Sequence, residues 1–271
     1  MGLRVNTNIA AMTSQRNLGA VTGRLQGNFA RLSSGLRIAS ASDDAAGLGI
    51  SERMRSQIRS YEAAGRNAQD GVSLVQTADG AMQEVSNNLN RMRELSVQAA
   101  NGTLTTGDRA TLDNEFQELI SEIDRISSDT DFNGVSLLDG STATLDIQVG
   151  IDSGETITLS MADVSAATLG LTGDLTTAAN ASTAMGALDT AIDTVTTGRG
   201  LLGAGQNRLN SSIQSIASAR ENLSAAESRI RDVDVAMETA DLTRNTILQQ
   251  ASVSVLAQAN TQPQLALSLL R

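Results

Sequence analysis

The 271 residues contain no cysteine, no histidine and no lysine. Without cysteine there is neither a disulfide framework nor a thiolate metal site. Without histidine the chain lacks the usual general base and the commonest transition-metal ligand. All twenty positive residues are arginine. Arginine suits interfaces, since its planar fork is weakly hydrated and makes several directed hydrogen bonds, although a composition bias explains the absence of lysine equally well. Aromatics are only 1% of the chain, namely Tyr61, Phe29, Phe116 and Phe132. Aromatic side chains supply much of the buried area of compact cores, so a thick globular core is not expected. A thin core of Leu, Ile, Val, Met and Ala between helices laid side by side fits the 40% hydrophobic content better.

Charge is missing from particular places. Met1 to Ser42 holds no acid and only Arg4, Arg16, Arg24, Arg31 and Arg37, while Asn245 to Leu270 holds no charge at all. All 30 acids lie between Asp43 and Asp241. Chain ends normally fray in solvent and are polar. Ends so poor in charge point to burial against other chains, hence to an assembly subunit rather than an enzyme. The net charge of −10 argues against nucleic acid. The uncharged C-terminal segment is long enough to cross a bilayer but too rich in amides and hydroxyls to do so. Met1 to Gly23 shows no basic region leading into a continuous apolar stretch, so any export is expected to read something other than a cleaved signal.

Periodicity organises the rest. Val5, Ile9 and Met12 begin one stripe, and Leu18, Val21, Leu25, Phe29, Leu32 and Leu36 continue it after a slip. Ser33 to Ser42 interrupts the pattern. A second run passes from about Asp44 through Ile50, Met54, Ile58, Tyr61, Val72, Val75, Met82, Val85, Leu89 and Met92 to Ala100. Its glycines Gly65, Gly71 and Gly80 leave close contact and breakage both open. Asn101 to Gly107 reads as a turn with Thr106 or Asp108 as helix cap, followed by the heptad stripe Leu112, Phe116, Leu119, Ile123 and Ile126. Alternation in Leu145–Val149 and Thr156–Leu159 predicts a β-hairpin, and the small polar residues 161–183 predict a variable surface link. Leu188 to Met237 keeps one heptad register, and Leu248, Ala251, Val255 and Ala259 form a last stripe ended by Pro263. The expected fold is mainly α: a long antiparallel helical bundle or coiled coil with a small hairpin near 145–160, both termini pairing as helices. Residues 1–43 with 232–271 would form a discontinuous terminal domain, and 44–231 a helical rod domain.

Particular residues are more specific than periodicity. The segment Ser33 to Ile50 (SSGLRIASASDDAAGLGI) resembles the signature of bacterial flagellins, as do Arg66 to Glu84, Leu89 to Gly102, Gly203 to Leu209 and Glu227 to Leu270. The resemblance covers both ends in order, with Ala39 and Ser42 departing from residues common in the first signature. It implies a structural subunit that polymerises into the helical filament, here in a minimal form without outer domains. It places the subunit outside the cell in the flagellum, exported by the flagellar type III route. It further implies that the terminal helices fold on assembly and line the inner core, through Leu18, Val21, Leu25, Phe29, Leu32, Leu36, Ile247, Leu248, Val255 and Leu256. The implied partners are further copies of the chain, a secretion chaperone at the C-terminal helix, and hook-associated and cap proteins. Arg91, Leu95 and Glu115 match positions that contact the vertebrate Toll-like flagellin receptor in immunostimulatory members, though contacts between subunits explain these residues as well.

Other motifs dissolve on inspection. Asp129 to Gly134 imitates half of a calcium loop, but Gly140 stands where the pattern needs glutamate. Asp43-Asp44 is better explained by a helix N-terminus than by a catalytic pair. No cofactor, metal site or catalytic constellation is expected. The alternatives are a hook–filament junction protein and a secreted membrane-active helical protein, the latter opposed by the lack of a lipid-binding basic face.

Overall fold

Asn8 opens the first helix and Gly35 closes it, each by satisfying backbone groups that a helix end leaves bare. The Asn8 Oδ1 accepts from Ala11 N at 3.1 Å, and Gly35, at φ 72°, donates its N–H to Arg31 O. A computed structural model describes residues 7–268, with side chains through Gln262; Val5 of the expected first stripe lies outside the described residues. The order is α1 (Ile9–Ser34), α2 (Ala45–Ala99), α3 (Thr106–Asp129), β1 (Asp131–Phe132), β2 (Val135–Ser136), β3 (Thr144–Gln148), β4 (Thr156–Ser160), α4 (Ala178–Arg231) and α5 (Val235–Ser268). Two compact units result, Met1–Ser56 with Asn222–Arg271 and Gln57–Glu221. The divisions therefore fall inside α2 and α4 rather than at residues 43 and 232.

In the middle unit, the α2 face Ala68, Val72, Val75, Ala78, Met82, Val85, Leu89 and Met92 is buried. Opposite it, α4 buries Ala181, Ala184, Leu188, Ala191, Val195, Gly198, Leu202, Gly205 and Leu209, a strict three-four alternation. From Ala184 onward, Ala or Gly fills every second layer, so neighbouring elements approach closely. At Gly205 an added Cβ would lie 2.6 Å from Leu159 Cδ2, and at Gly71 3.2 Å from Leu209 Cδ1. Gly71 thus marks a close contact, and α2 runs unbroken past Gly65, Gly71 and Gly80 alike.

The β3–β4 hairpin pairs Leu145 with Leu159 and Ile147 with Ile157, as the alternation predicts. A second, two-residue pair, β1–β2, turns at Asn133 and Gly134, which have φ 53° and 79°. The helix cap before α3 is Thr105, not Thr106 or Asp108. Asp108 instead sits three residues in and closes a capping box back onto Thr105.

The segment 161–183 is not a surface link. Val164, Leu169, Leu171 and Leu175 are buried, and the last residues already belong to α4. Asp124 and Asp113 on α3 accept from Ala166 N and Leu175 N, both at 2.8 Å, which fastens the segment along that helix. Its apolar residues follow no regular period, so nothing in their spacing announces burial.

In the terminal unit, Val233 N donates to Gly35 O at 3.0 Å and Arg37 N to Arg231 O at 2.7 Å. Arg231 Nη1 also reaches Glu52 at 2.8 Å. The long heptad register ends at Arg231, so Met237 lies in α5, exposed. Helix α5 also continues past Pro263 to Ser268. Proline lacks the N–H that would bond the carbonyl four residues back. That carbonyl is Ala259 O, and the Asn8 side chain donates to it at 2.7 Å.

Candidate assembly surface

The pair α1·α5 is where the sequence places an interface, and its construction differs from that of an ordinary two-helix seam. Its antiparallel register is fixed by three polar contacts. Asn8 Nδ2 donates to Ala259 O, Asn245 Nδ2 donates to Asn28 Oδ1 at 3.3 Å, and Arg31 lies 3.7 Å from Glu238. On α1, Val21, Leu25 and Asn28 are buried and Leu18 and Leu32 half-buried. These positions follow the alternation 3, 4, 3, 4 from Leu18. That rule puts Asn28 in the seam and turns Phe29 outward, at 59% exposure. Steps of four from Val21 through Leu25 also keep near one helical face and lead to Phe29, which the pair α1·α5 leaves outward. Leu36 lies beyond the helix end, half-buried in a bridge to Asp232.

On α5 the seam is largely polar. Glu238, Asn245 and Ala259 are buried, and Leu242, Gln249, Ser252 and Leu256 half-buried. The larger apolar side chains Met237, Ile247, Leu248, Val253 and Val255 all face outward, Ile247 at 60% exposure. Of the expected α5 residues, Leu256 therefore meets α1, whereas Ile247, Leu248 and Val255 do not. Ile9 and Met12 of α1 are outward as well. Fully burying such a side chain is worth about 1.5–3 kcal/mol, so this surface carries a large unused driving force. Asn8, Asn28, Glu238 and Asn245 are the contacts that the apolar stripes concealed. Strict counting of the seam from Leu18 finds Asn28, and no local signal finds the other three.

Between α1 and α2, the Ser40 amide and hydroxyl hold the Asp43 carboxyl below the usual carboxylate range. Asp44 accepts from Gly47 N at 2.9 Å and caps α2. The two acids are turn and cap. Glu52 lies between Arg231 and Arg55, whose hydrogen bonds lower its carboxyl too. In the middle unit Arg91 bonds Glu115 at 2.8 Å and Glu94 at 3.1 Å on the surface. Leu95 is 1% exposed and belongs to the core, so it offers no side chain to a receptor. Among the described residues no group of acids could hold a metal ion, and no helix is long and apolar enough to cross a membrane.

The family model for the bacterial flagellin N-terminal helical region matches residues 5–143, and that for the C-terminal helical region matches residues 185–270. The chain belongs to the bacterial flagellin family. The flagellin of Halalkalibacterium halodurans is 51% identical over 270 residues, covering 98% of this chain and 99% of that one. That of Bacillus subtilis is 45% identical over 306 residues, covering 99% and 100%. A solved structure of Bacillus cereus flagellin matches with TM-score 0.52 at 39% identity, over 60% of this chain and 94% of that one. Relatives spanning the whole chain at this identity favour a filament subunit over a junction protein. This flagellin is a structural subunit of the flagellar filament, mainly helical with two small antiparallel strand pairs.

Proposed function

We propose that this flagellin polymerises through its terminal unit. Copies meet along the outward stripes of α1 and α5, and these helices become fully ordered only when other copies cover them. The observation that carries the reading is the inversion of α5. Glu238, Asn245 and Gln249 face α1 while Ile247, Leu248 and Val255 face out. A helix pair that buries so little apolar surface alone does not offset the entropy of ordering it. Neighbouring copies supply the missing burial. A head-to-tail contact that fails to close into a ring then yields an open helical polymer.

The remaining partners follow from the same surface. The uncharged part of α5 from Asn245 onward is the handle for a secretion chaperone, and the incompletely buried ends suit export in an unfolded state through the flagellar type III channel. Hook-associated and cap proteins meet the two ends of the polymer, and the role is structural, without catalysis. Arg91 and Glu115 are solvent-facing and available to a Toll-like receptor or to a neighbouring subunit.

Electron microscopy of purified chain after seeding, beside a truncation lacking Asn245 to Arg271, tests the reading. Filaments from the full chain and none from the truncation are expected. Growth from the truncation, or a fully protected α5 in hydrogen exchange of the monomer, would overturn it.

A further inference from the structure

A helix with two neighbouring stripes that both carry apolar residues does not choose its own rotation by apolar burial alone. The α5 stripe turned toward α1 carries Leu242, Leu256 and Ala259 among the polar Glu238, Asn245, Gln249 and Ser252. The stripe one residue behind it carries Met237, Leu248, Ala251 and Val255 among the polar Asp241, Arg244 and Gln258. A roll of about 100° would exchange the two. Burial scales with apolar area, and two leucines with an alanine on the first stripe are at least matched by a methionine, a leucine, an alanine and a valine on the second. The hydrophobic effect therefore gives the observed rotation no advantage.

The polar contacts do decide. Asn28 and Asn245 are 4% and 8% exposed and hydrogen-bond only in the observed rotation, Asn245 Nδ2 to Asn28 Oδ1 at 3.3 Å. After the roll both amides would be buried without partners or dragged into the apolar stripes, and Asp241 and Arg244 would turn toward α1 in their place. A buried amide without a partner costs its full desolvation, whereas two apolar groups in the same place cost little. Single buried asparagines select one arrangement of a coiled coil by this means. Asn8 adds a second fixed point near the far end, because its side chain meets the one α5 carbonyl that Pro263 leaves without a helical donor.

We infer that Asn28 and Asn245, with Asn8, set the rotation of α5 against α1 and thereby select which apolar stripe remains outward for a second copy. Only the last step rests on the assembly reading above.

The absence of cysteine makes the test clean, since any disulfide comes from introduced pairs. Leu18→Cys with Leu256→Cys reports the observed rotation, and Leu18→Cys with Val255→Cys the rolled one. Both pairs are placed in the full-length chain, oxidised in seeded filaments and in the soluble chain, and quantified by mass spectrometry. In the otherwise unsubstituted chain the first disulfide should exceed the second by about tenfold or more, the factor expected from stranding buried amides. With Asn28→Leu and Asn245→Leu the ratio should fall toward one, and seeded growth should weaken.

Adding Val21→Asn with Ser252→Asn moves the polar pair one heptad along the same register and should restore both ratio and growth. A ratio unchanged by Asn28→Leu with Asn245→Leu, or near one in the unsubstituted chain, overturns the inference. Should the leucine variant give neither disulfide, the relocated pair decides: return of the first disulfide supports the inference, and its continued absence refutes it. A soluble chain that shows the ratio and its loss, yet never grows on seeds, keeps the rotation and removes the assembly reading.

Discussion

The two units of this flagellin are built from the same residue types and solve burial in opposite ways. In the middle unit, α2 and α4 turn their Leu, Val, Met and Ala inward, with Met82, Leu89 and Leu188 wholly buried. In the terminal unit, α5 turns Ile247, Leu248 and Val255 outward and seals its seam with Asn245 and Glu238. The first arrangement is complete within one chain. The second is complete only when something else covers it, and that teaches where the polymer forms. Low aromatic content serves both: small side chains let α2, α4 and the hairpin approach closely in one unit, and leave a smooth apolar stripe in the other.

A matched pair of truncations separates the two units most strongly. Phe116→Ala in the middle unit should cost about 3–5 kcal/mol, since it empties a fully buried site. The melting temperature of the monomer would show it. Leu248→Ala with Val255→Ala should leave that melting temperature nearly unchanged, as exposed substitutions do within about 0.5 kcal/mol, and should abolish growth on seeds. Equal melting losses would mean that α5 already buries its stripe in the single chain.

Overfilling gives a smaller effect. At Gly198 an added Cβ would lie 2.8 Å from Met82 Cε and 2.9 Å from Ala162 Cβ. Gly198→Leu should therefore destabilise the middle unit by about 1–3 kcal/mol in urea unfolding. A neutral outcome would show that the α2–α4 layers are looser than the buried side chains indicate.

Asn8 probes the terminal half of the contrast. Asn8→Ala removes both the α1 cap and the donor to Ala259, at about 1 kcal/mol for the cap alone. Asn8→Asp keeps the cap and loses the donor. If the proline-orphaned carbonyl matters, Pro263→Ala should suppress the difference between Asn8→Asp and the parent, read as filament dissociation temperature in a double-mutant cycle.

Acid should have the mildest influence. Hydrogen bonds from Thr105 hold Asp108 down, those from Arg125 hold Glu122 down, and those from Thr176 and Asn180 hold Asp174 down. Burial pushes Asp163 up, but the Thr168 and Ser165 hydrogen bonds outweigh it and its carboxyl is also lowered. A carboxyl lowered in the folded state contributes stability above its unfolded value and loses it as pH falls through the folded one. With ordinary values of 3.8 for Asp and 4.5 for Glu, the melting temperature of the middle unit should be flat near neutrality and decline as pH falls below those values. A decline beginning near neutral pH would implicate other groups.

The helices, the β3–β4 hairpin, the antiparallel return of the chain and the family are all legible in the amino-acid order. Each rests on local chemistry or on residue patterns: heptads in α3 and α4, alternation at Leu145 and Thr156, and the segment Ser33 to Ile50. Packing in three dimensions was needed to choose which side of α5 faces α1, to turn Phe29 out and Asn28 in, to place Leu95 in the core, and to bury 161–175. Periodicity fixes a stripe but not its partner. Where both stripes on one helix carry apolar residues, or a segment has no period, the choice falls to contacts between residues hundreds of positions apart, such as Asn8 with Ala259 and Asn28 with Asn245.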